Sequence, residues 1–208
     1  MGQRSYLSFF LFTVYSLLLS QVVLADDDDN HIATLFGNAL YLSDVKPDET
    51  TLSQMKEEMG DGFRAALGEV MLANLTNQVI DAVLADYAQQ QNIAIDSKLT
   101  DSFKRTFAGT LTDKSAQEIT QIAEKNVLQW QTEKAMFDTF GGRVVFQQTN
   151  PLTPIDAYKA LLTRYKEKGS FIILDPDAKA RFWETFEPPF RFEVAPENVD
   201  FSQPWWVK

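Results

Sequence analysis

Apolar residues recur at three- and four-residue steps over two long stretches of the chain. Between Thr112 and Phe140 the positions Ile119, Ile122, Ala123, Val127, Trp130, Phe137 and Phe140 fall on one helical face. Thr112 or Asp113 stands ready to cap the first free amides, and Gly141-Gly142 can end the helix at positive φ. A helix over 113–140, of about 27 residues, would be ~40 Å long at ~1.5 Å per residue, more than the width of a small domain. Other elements must therefore pack along it. The second stretch, 62–91, turns Phe63, Leu67, Val70, Met71, Leu75, Val79, Val83, Leu84 and Tyr87 inward, with Asp61 as its expected cap.

Shorter patterns fill the remainder. Ile32–Phe36 and Ala39–Leu42 flank Gly37-Asn38 and read as a hairpin, and Asp48–Met59 reads as a short amphipathic helix broken by Gly60-Asp61-Gly62. Asp96 or Ser97 opens a helix through Phe103 and Phe107 to Gly109. Arg143–Phe146 reads as a short strand, Pro154 opens a helix that ends at Lys168-Gly169, and Phe171–Leu174 reads as a strand pairing with Val144–Gln147 across that helix. Asp175 and Pro176 supply a cap and a first position for a helix carrying Phe182, Trp183 and Phe186. Pro188-Pro189 ends it, and the tail Phe190–Lys208, rich in aromatics and prolines, should lie extended across the body. The expected fold class is mainly α, with a few short β-strands and an extended aromatic-rich C-terminal tail.

The start of the chain changes the picture of where the protein works. Arg4 precedes an apolar run from Tyr6 to Leu19, and Val23-Leu24-Ala25 puts small residues at the positions before a cut after Ala25, so residues 1–25 read as a secretory signal peptide. A retained anchor is the competing reading, because Tyr6–Ala25 is close to the ~20 residues that span a bilayer. Cleavage gives a periplasmic protein with no membrane span, preceded by an acidic flexible leader over 26–31. Arg4 leaves with the signal, so 18 basic residues face 29 acidic ones and the net charge moves from −10 to −11. Such a chain lacks the basic stripe that nucleic acid requires. With no cysteine, neither disulfides nor thiol chemistry is available, and the fold must rest on its own core.

The hairpin with its Gly-Asn turn, the exit Ser43-Asp44-Val45, the long helix ending in Asp86-Tyr87-Ala88-Gln89-Gln90-Gln91-Asn92-Ile93-Ala94-Ile95-Asp96, and the next helix opened by Ser97 together resemble the helical N-terminal region of the SurA-type periplasmic chaperones. The resemblance covers residues 32–140, and its tightest part is Tyr87–Lys98. In that family a parvulin-type prolyl isomerase module often follows. Arg143-Val144-Val145-Phe146 and Thr153–Tyr158 are similar to the strand and helix that enter such a module. However, Val144 stands at the motif's histidine position, the later Gly-Gly-Asp-Leu-Gly segment is absent, and few residues remain after Phe171. The resemblance therefore implies a chaperone-like protein without isomerase catalysis. Residues 141–208 are either a remnant of the module or an independent strand-helix-strand-helix extension with its tail.

Candidate chemistry is sparse. His31 is the single histidine, so a Ser-His-Asp triad or a histidine zinc site has almost nothing to draw on, and no metal or cofactor is expected. Carboxylate pairs such as Glu57-Glu58 fit a solvated helix face, Asp26–Asp29 lacks the spacing of a calcium loop, and Asn74-Leu75-Thr76 is a chance glycosylation triplet within a helix. The remaining feature is aromatic: 16 Phe, 6 Tyr and 4 Trp. Trp183, Trp205 and Trp206 are the candidates to line a groove for apolar segments of unfolded or exported proteins, unless the tail simply seals the core. The alternative is an enzyme, related to the prolyl isomerases, or a small-ligand binder with a carboxylate and aromatic cleft. An apolar trough would favour the first reading, and converging buried polar groups the second.

Overall fold

The computed structural model describes residues 30–207. The expected signal peptide over 1–25 and the acidic Asp26–Asp29 lie outside the described residues. The chain is mainly helical with one small antiparallel sheet. Strand β1 (His31–Leu35) and β2 (Asn38–Tyr41) form the hairpin, and α1 (Leu42–Val45) and α2 (Glu49–Met59) follow. A single 3-10 turn leads into α3 (Phe63–Gln90), then come α4 (Ser97–Phe107), α5 (Ala116–Phe140) and α6 (Ile155–Glu167). Strand β3 (Phe171–Ile173) and α7 (Pro176–Glu184) precede the tail. His31, placed in the flexible leader by the sequence, begins β1.

The hairpin turns one residue earlier than expected. Phe36 and Gly37 are its central residues, both at positive φ, as a two-residue turn matched to strand twist requires, and Asn38 already belongs to β2. The helix starts also move. Asp61 sits inside the 3-10 turn and does not cap α3, whose N-cap is Gly62. Helix α5 starts at Ala116 rather than at 113, because Ser115 and Glu118 close a reciprocal capping box: the Glu118 amide donates to Ser115 Oγ at 3.2 Å and the Ser115 amide to Glu118 Oε2 at 2.7 Å. Asp96 caps α4 and Asp175 caps α7 as expected, the latter with Pro176 in the first position.

The sheet order is β2-β1-β3, all antiparallel. The expected pairing of Phe171–Leu174 with Val144–Gln147 does not form. The free edge of β1 takes β3 instead, with Phe36 N–H donating to Ser170 O and Leu174 N–H to Ile32 O. Residues 143–146 are held by single bridges from Val145 to Thr153 and to Glu193, and by Phe146 N–H to Phe192 O and Val194 N–H to Val144 O. The tail thus satisfies backbone groups that the sequence assigned to a strand partner.

Two apolar clusters form. The larger joins Ala33 and Ile173 of the sheet to Leu75, Val79 and Val83 of α3, Met136 of α5, Leu161 and Leu162 of α6, and Phe182 and Phe186 around α7. It draws on residues from both sides of Phe140. The smaller is made by Phe103 of α4, by Ala123, Val127 and Trp130 of α5, and by Trp206 of the tail. Helix α5 contributes its first half to one cluster and its last turns to the other, and its buried stripe runs over its length with Thr132 and Glu133 interrupting the apolar residues where the two clusters meet. Gly141 and Gly142, at φ 60° and 96°, then turn the chain so closely against Asp156 that a methyl group on Gly142 would overlap its Cβ. The approach lets Asp156 accept from the Arg143 amide and from its guanidinium in a two-pronged pair at 2.9 Å, which holds the Asp156 carboxyl below its usual range.

Candidate functional site

One buried carboxylate stands out. Glu133 lies on the inward stripe of α5, three residues after Trp130 and three before Met136, and is 1 % exposed. Its Oε1 accepts the Tyr158 hydroxyl of α6 at 2.5 Å and the Gln129 amide, one helical turn earlier, at 3.0 Å. The Asn150 amide donates to Oε1 at 2.9 Å and to Oε2 at 2.8 Å. Asn150 is itself fixed by a backbone pair with Gln147 and by Thr153 Oγ1, which donates to its carbonyl. Burial raises the Glu133 carboxyl above its usual range although the donors oppose this, and burial together with the neighbouring carboxylate raises the Tyr158 phenol. One side chain so fastens α5, α6 and the 147–153 turn. Beside it is a hollow lined by Asn126, Gln129, Trp130, Glu133, Trp205 and Trp206, whose enclosed part of about 20 Å³ has room for one water-sized group.

A second, larger opening lies at the sheet edge. The registry Thr34↔Ile172, with Ser170 and Leu174 bonded to β1 on either side, directs the N–H and C=O groups of Phe171 and Ile173 away from β1. Among the described residues these four groups have no hydrogen-bond partner. Phe171 and Ile173 are themselves only 2 % and 4 % exposed, and beside them lies a cleft of about 210 Å³ lined by Phe171, Ile172, Ile173, Lys166, Lys179 and Trp183. Ile172 and Leu174 are large apolar residues left about half exposed beside it. The ring of Trp183 is stacked on Phe171 and set edge-on to Phe182, with Lys166 Nζ 5.3 Å from its centroid. Neither Lys166 nor Lys179 pairs with a carboxylate among the described residues.

The three tryptophans expected to share a groove are divided. Trp183 borders the sheet-edge cleft, Trp206 belongs to the smaller cluster at α4 and α5, and Trp205 lies outside that cluster, edge-on to Phe107 at 5.7 Å. Trp206 is 3 % exposed and fills core, with Phe103 edge-on at 5.4 Å, while Trp205 is 41 % exposed. His31 sits on the surface of β1 against Tyr41, 5.8 Å between ring centroids. Sequence reasoning passed over Glu133, Asn150 and Tyr158. The available signal was a carboxylate on the apolar stripe of α5, between Trp130 and Met136. It also passed over Lys166 and Ile172, which gain meaning only from the position of β3. Among the described residues no three His, Asp or Glu side chains are grouped to hold a metal ion, and no helix is long and apolar enough to cross a membrane. No protein-family model, curated protein or solved structure matches the chain.

Proposed function

We propose that the protein is an exported, chaperone-like binder of extended apolar segments of other exported proteins, acting without chemistry, and that it takes them at the edge of β3. The observation that carries the reading is the cleft of about 210 Å³ at β3, walled by Trp183 and flanked by the half-exposed Ile172 and Leu174. It lies beside backbone groups of Phe171 and Ile173 that turn away from β1 and that a small shift of the covering side chains would uncover. An extended segment added there as a fourth strand gains up to four backbone hydrogen bonds, each worth about 1 kcal/mol net, and places alternate side chains against Trp183 and Ile172. Lys166 and Lys179 favour clients with carboxylates flanking the apolar stretch. Backbone pairing is indifferent to sequence, and the ordering of the client offsets much of the gain, so binding is sequence-tolerant and modest. The resemblance of residues 32–140 to the helical region of the SurA-type chaperones and the signal-like residues 1–25 support the same reading.

The test is suppression of aggregation of an unfolded outer-membrane protein by wild type, by Trp183→Ala and by Lys166→Glu/Lys179→Glu. The wild type should delay aggregation and both variants should lose most of the effect, with the lysine variant melting like wild type because both side chains are exposed. A wild type that never delays aggregation would remove the chaperone reading. Undiminished suppression by both variants would move the binding surface away from β3.

A further inference from the structure

The hollow beside Glu133 has hydrogen-bonding groups of both senses left over. Glu133 Oε2 accepts only from Asn150 and keeps a lone pair, while Oε1 is saturated by Tyr158, Gln129 and Asn150. Asn126 donates its amide to Ile122 O at 2.8 Å, which leaves its side-chain oxygen available. Against these acceptors stand the hydroxyl of Thr149, which lines the hollow and can donate or accept, and the indole Nε1 of Trp206, which is buried and has no hydrogen-bond partner, a condition that costs roughly 1–3 kcal/mol if it persists. A cationic head would satisfy the oxygens and leave this N–H unmet. An anionic head would meet the N–H and face Glu133. A hydroxyl does both at once, donating to the carboxylate and accepting from the indole, and it fits a space of about 20 Å³. Water alone could occupy the position, but the wall is not that of a sealed water site. Trp205 lines the same hollow, is 41 % exposed, and offers an apolar indole face to whatever carries the hydroxyl.

We propose that the hollow between α5 and the tail is a binding site for a neutral polyhydroxylated ligand, a sugar ring that inserts one hydroxyl between Glu133 and Trp206 and lays its C–H face on Trp205. The site is separate from the β3 cleft and its test is independent of the peptide-binding reading. A ring held at one inserted hydroxyl and one stacking face buries little surface, so dissociation constants belong in the millimolar range.

The experiment is a titration of the full chain followed by tryptophan fluorescence, with D-glucose, D-galactose, D-mannose and N-acetylglucosamine as probes and choline and acetate as the cationic and anionic comparisons. At least one sugar should give a saturable change below about 100 mM, and neither ion should. Trp206→Phe keeps a six-membered aromatic ring but deletes the donor together with the five-membered half of the indole, and should weaken the sugar about tenfold or more. Trp205→Ala, at an exposed position, should abolish binding while melting close to wild type, and it decides the matter if Trp206→Phe does not fold. Absence of saturation by all four sugars, saturation by choline or acetate alone, or undiminished sugar binding by the folded variants overturns the proposal.

Discussion

Replacing Trp206 by alanine should cost the protein about 4 kcal/mol of stability. The side chain is 3 % exposed and wedged among Phe103, Trp130 and Trp205, and its backbone carbonyl accepts from Thr106 Oγ1 at 3.0 Å. A buried tryptophan removes about 150–250 Å² from water, which at roughly 25 cal/mol per Å² gives about 4–6 kcal/mol. Truncations of buried Phe and Trp measure about 3–5 kcal/mol, and the overlap of the two ranges sets the expected value. For a chain of this size each kcal/mol lowers the melting temperature by about 2–4 °C, so a fall of roughly 8–16 °C should follow. Urea unfolding at constant slope gives the free energy directly, and Trp205→Ala is the internal control. Trp205 is 41 % exposed, and its loss should cost about 1 kcal/mol. A Trp206→Ala protein within about 1 kcal/mol of wild type, or a Trp205→Ala protein as damaged as its neighbour, would refute the assignment of Trp206 to the core.

Two further perturbations probe the joints around α5 and α6. Gly142→Ala meets both a φ of 96° and the Cβ of Asp156, and should destabilise by about 2–3 kcal/mol, whereas Gly109→Ala, with open space around it, should stay within about 1 kcal/mol; equal effects in a thermal melt would discount the close approach. Glu133→Gln removes a titration. Because burial raises the folded carboxyl above its unfolded value near 4.3, the stability it contributes is fully present below that pH and is lost as the pH rises through the folded value. The melting-temperature difference between wild type and variant should therefore move against wild type as the pH climbs from about 4 and stay flat below; a shift in favour of wild type over that interval would show that the donors outweigh burial.

The two long helices and the caps at Asp96 and Asp175 were legible because period and cap are local properties, written within a few residues of each other. The start of α5 was misplaced for a local reason too: Thr112 and Asp113 are acceptable caps, but only Ser115 has a glutamate three positions on to return the bond. The place of β3 was not legible. A three-residue strand carries no mark of its partner, and the edge of β1 competed with residues 143–146 for it. Trp205 and Trp206 form one unit in the sequence, but they are the two central residues of a turn closed by Val207 N–H to Pro204 O, which sends one into the core and the other to water. Glu133 is not legible from the sequence because a charged residue ordinarily marks the solvent face, and its satisfaction depends on Tyr158 and Asn150, 25 and 17 residues away.

The tail leaves the 143–146 segment at Val194 and ends its described course in the smaller cluster, so the two clusters are joined twice, once by the rod of α5 and once by this second span. A body tied at two separate points cannot hinge about either one. Amide hydrogens in the first half of α5 and in α4 should thus exchange in the same opening event as those of α3 and α6, and the helical end of the molecule, which on α5 alone would fray first, shares the protection of the whole.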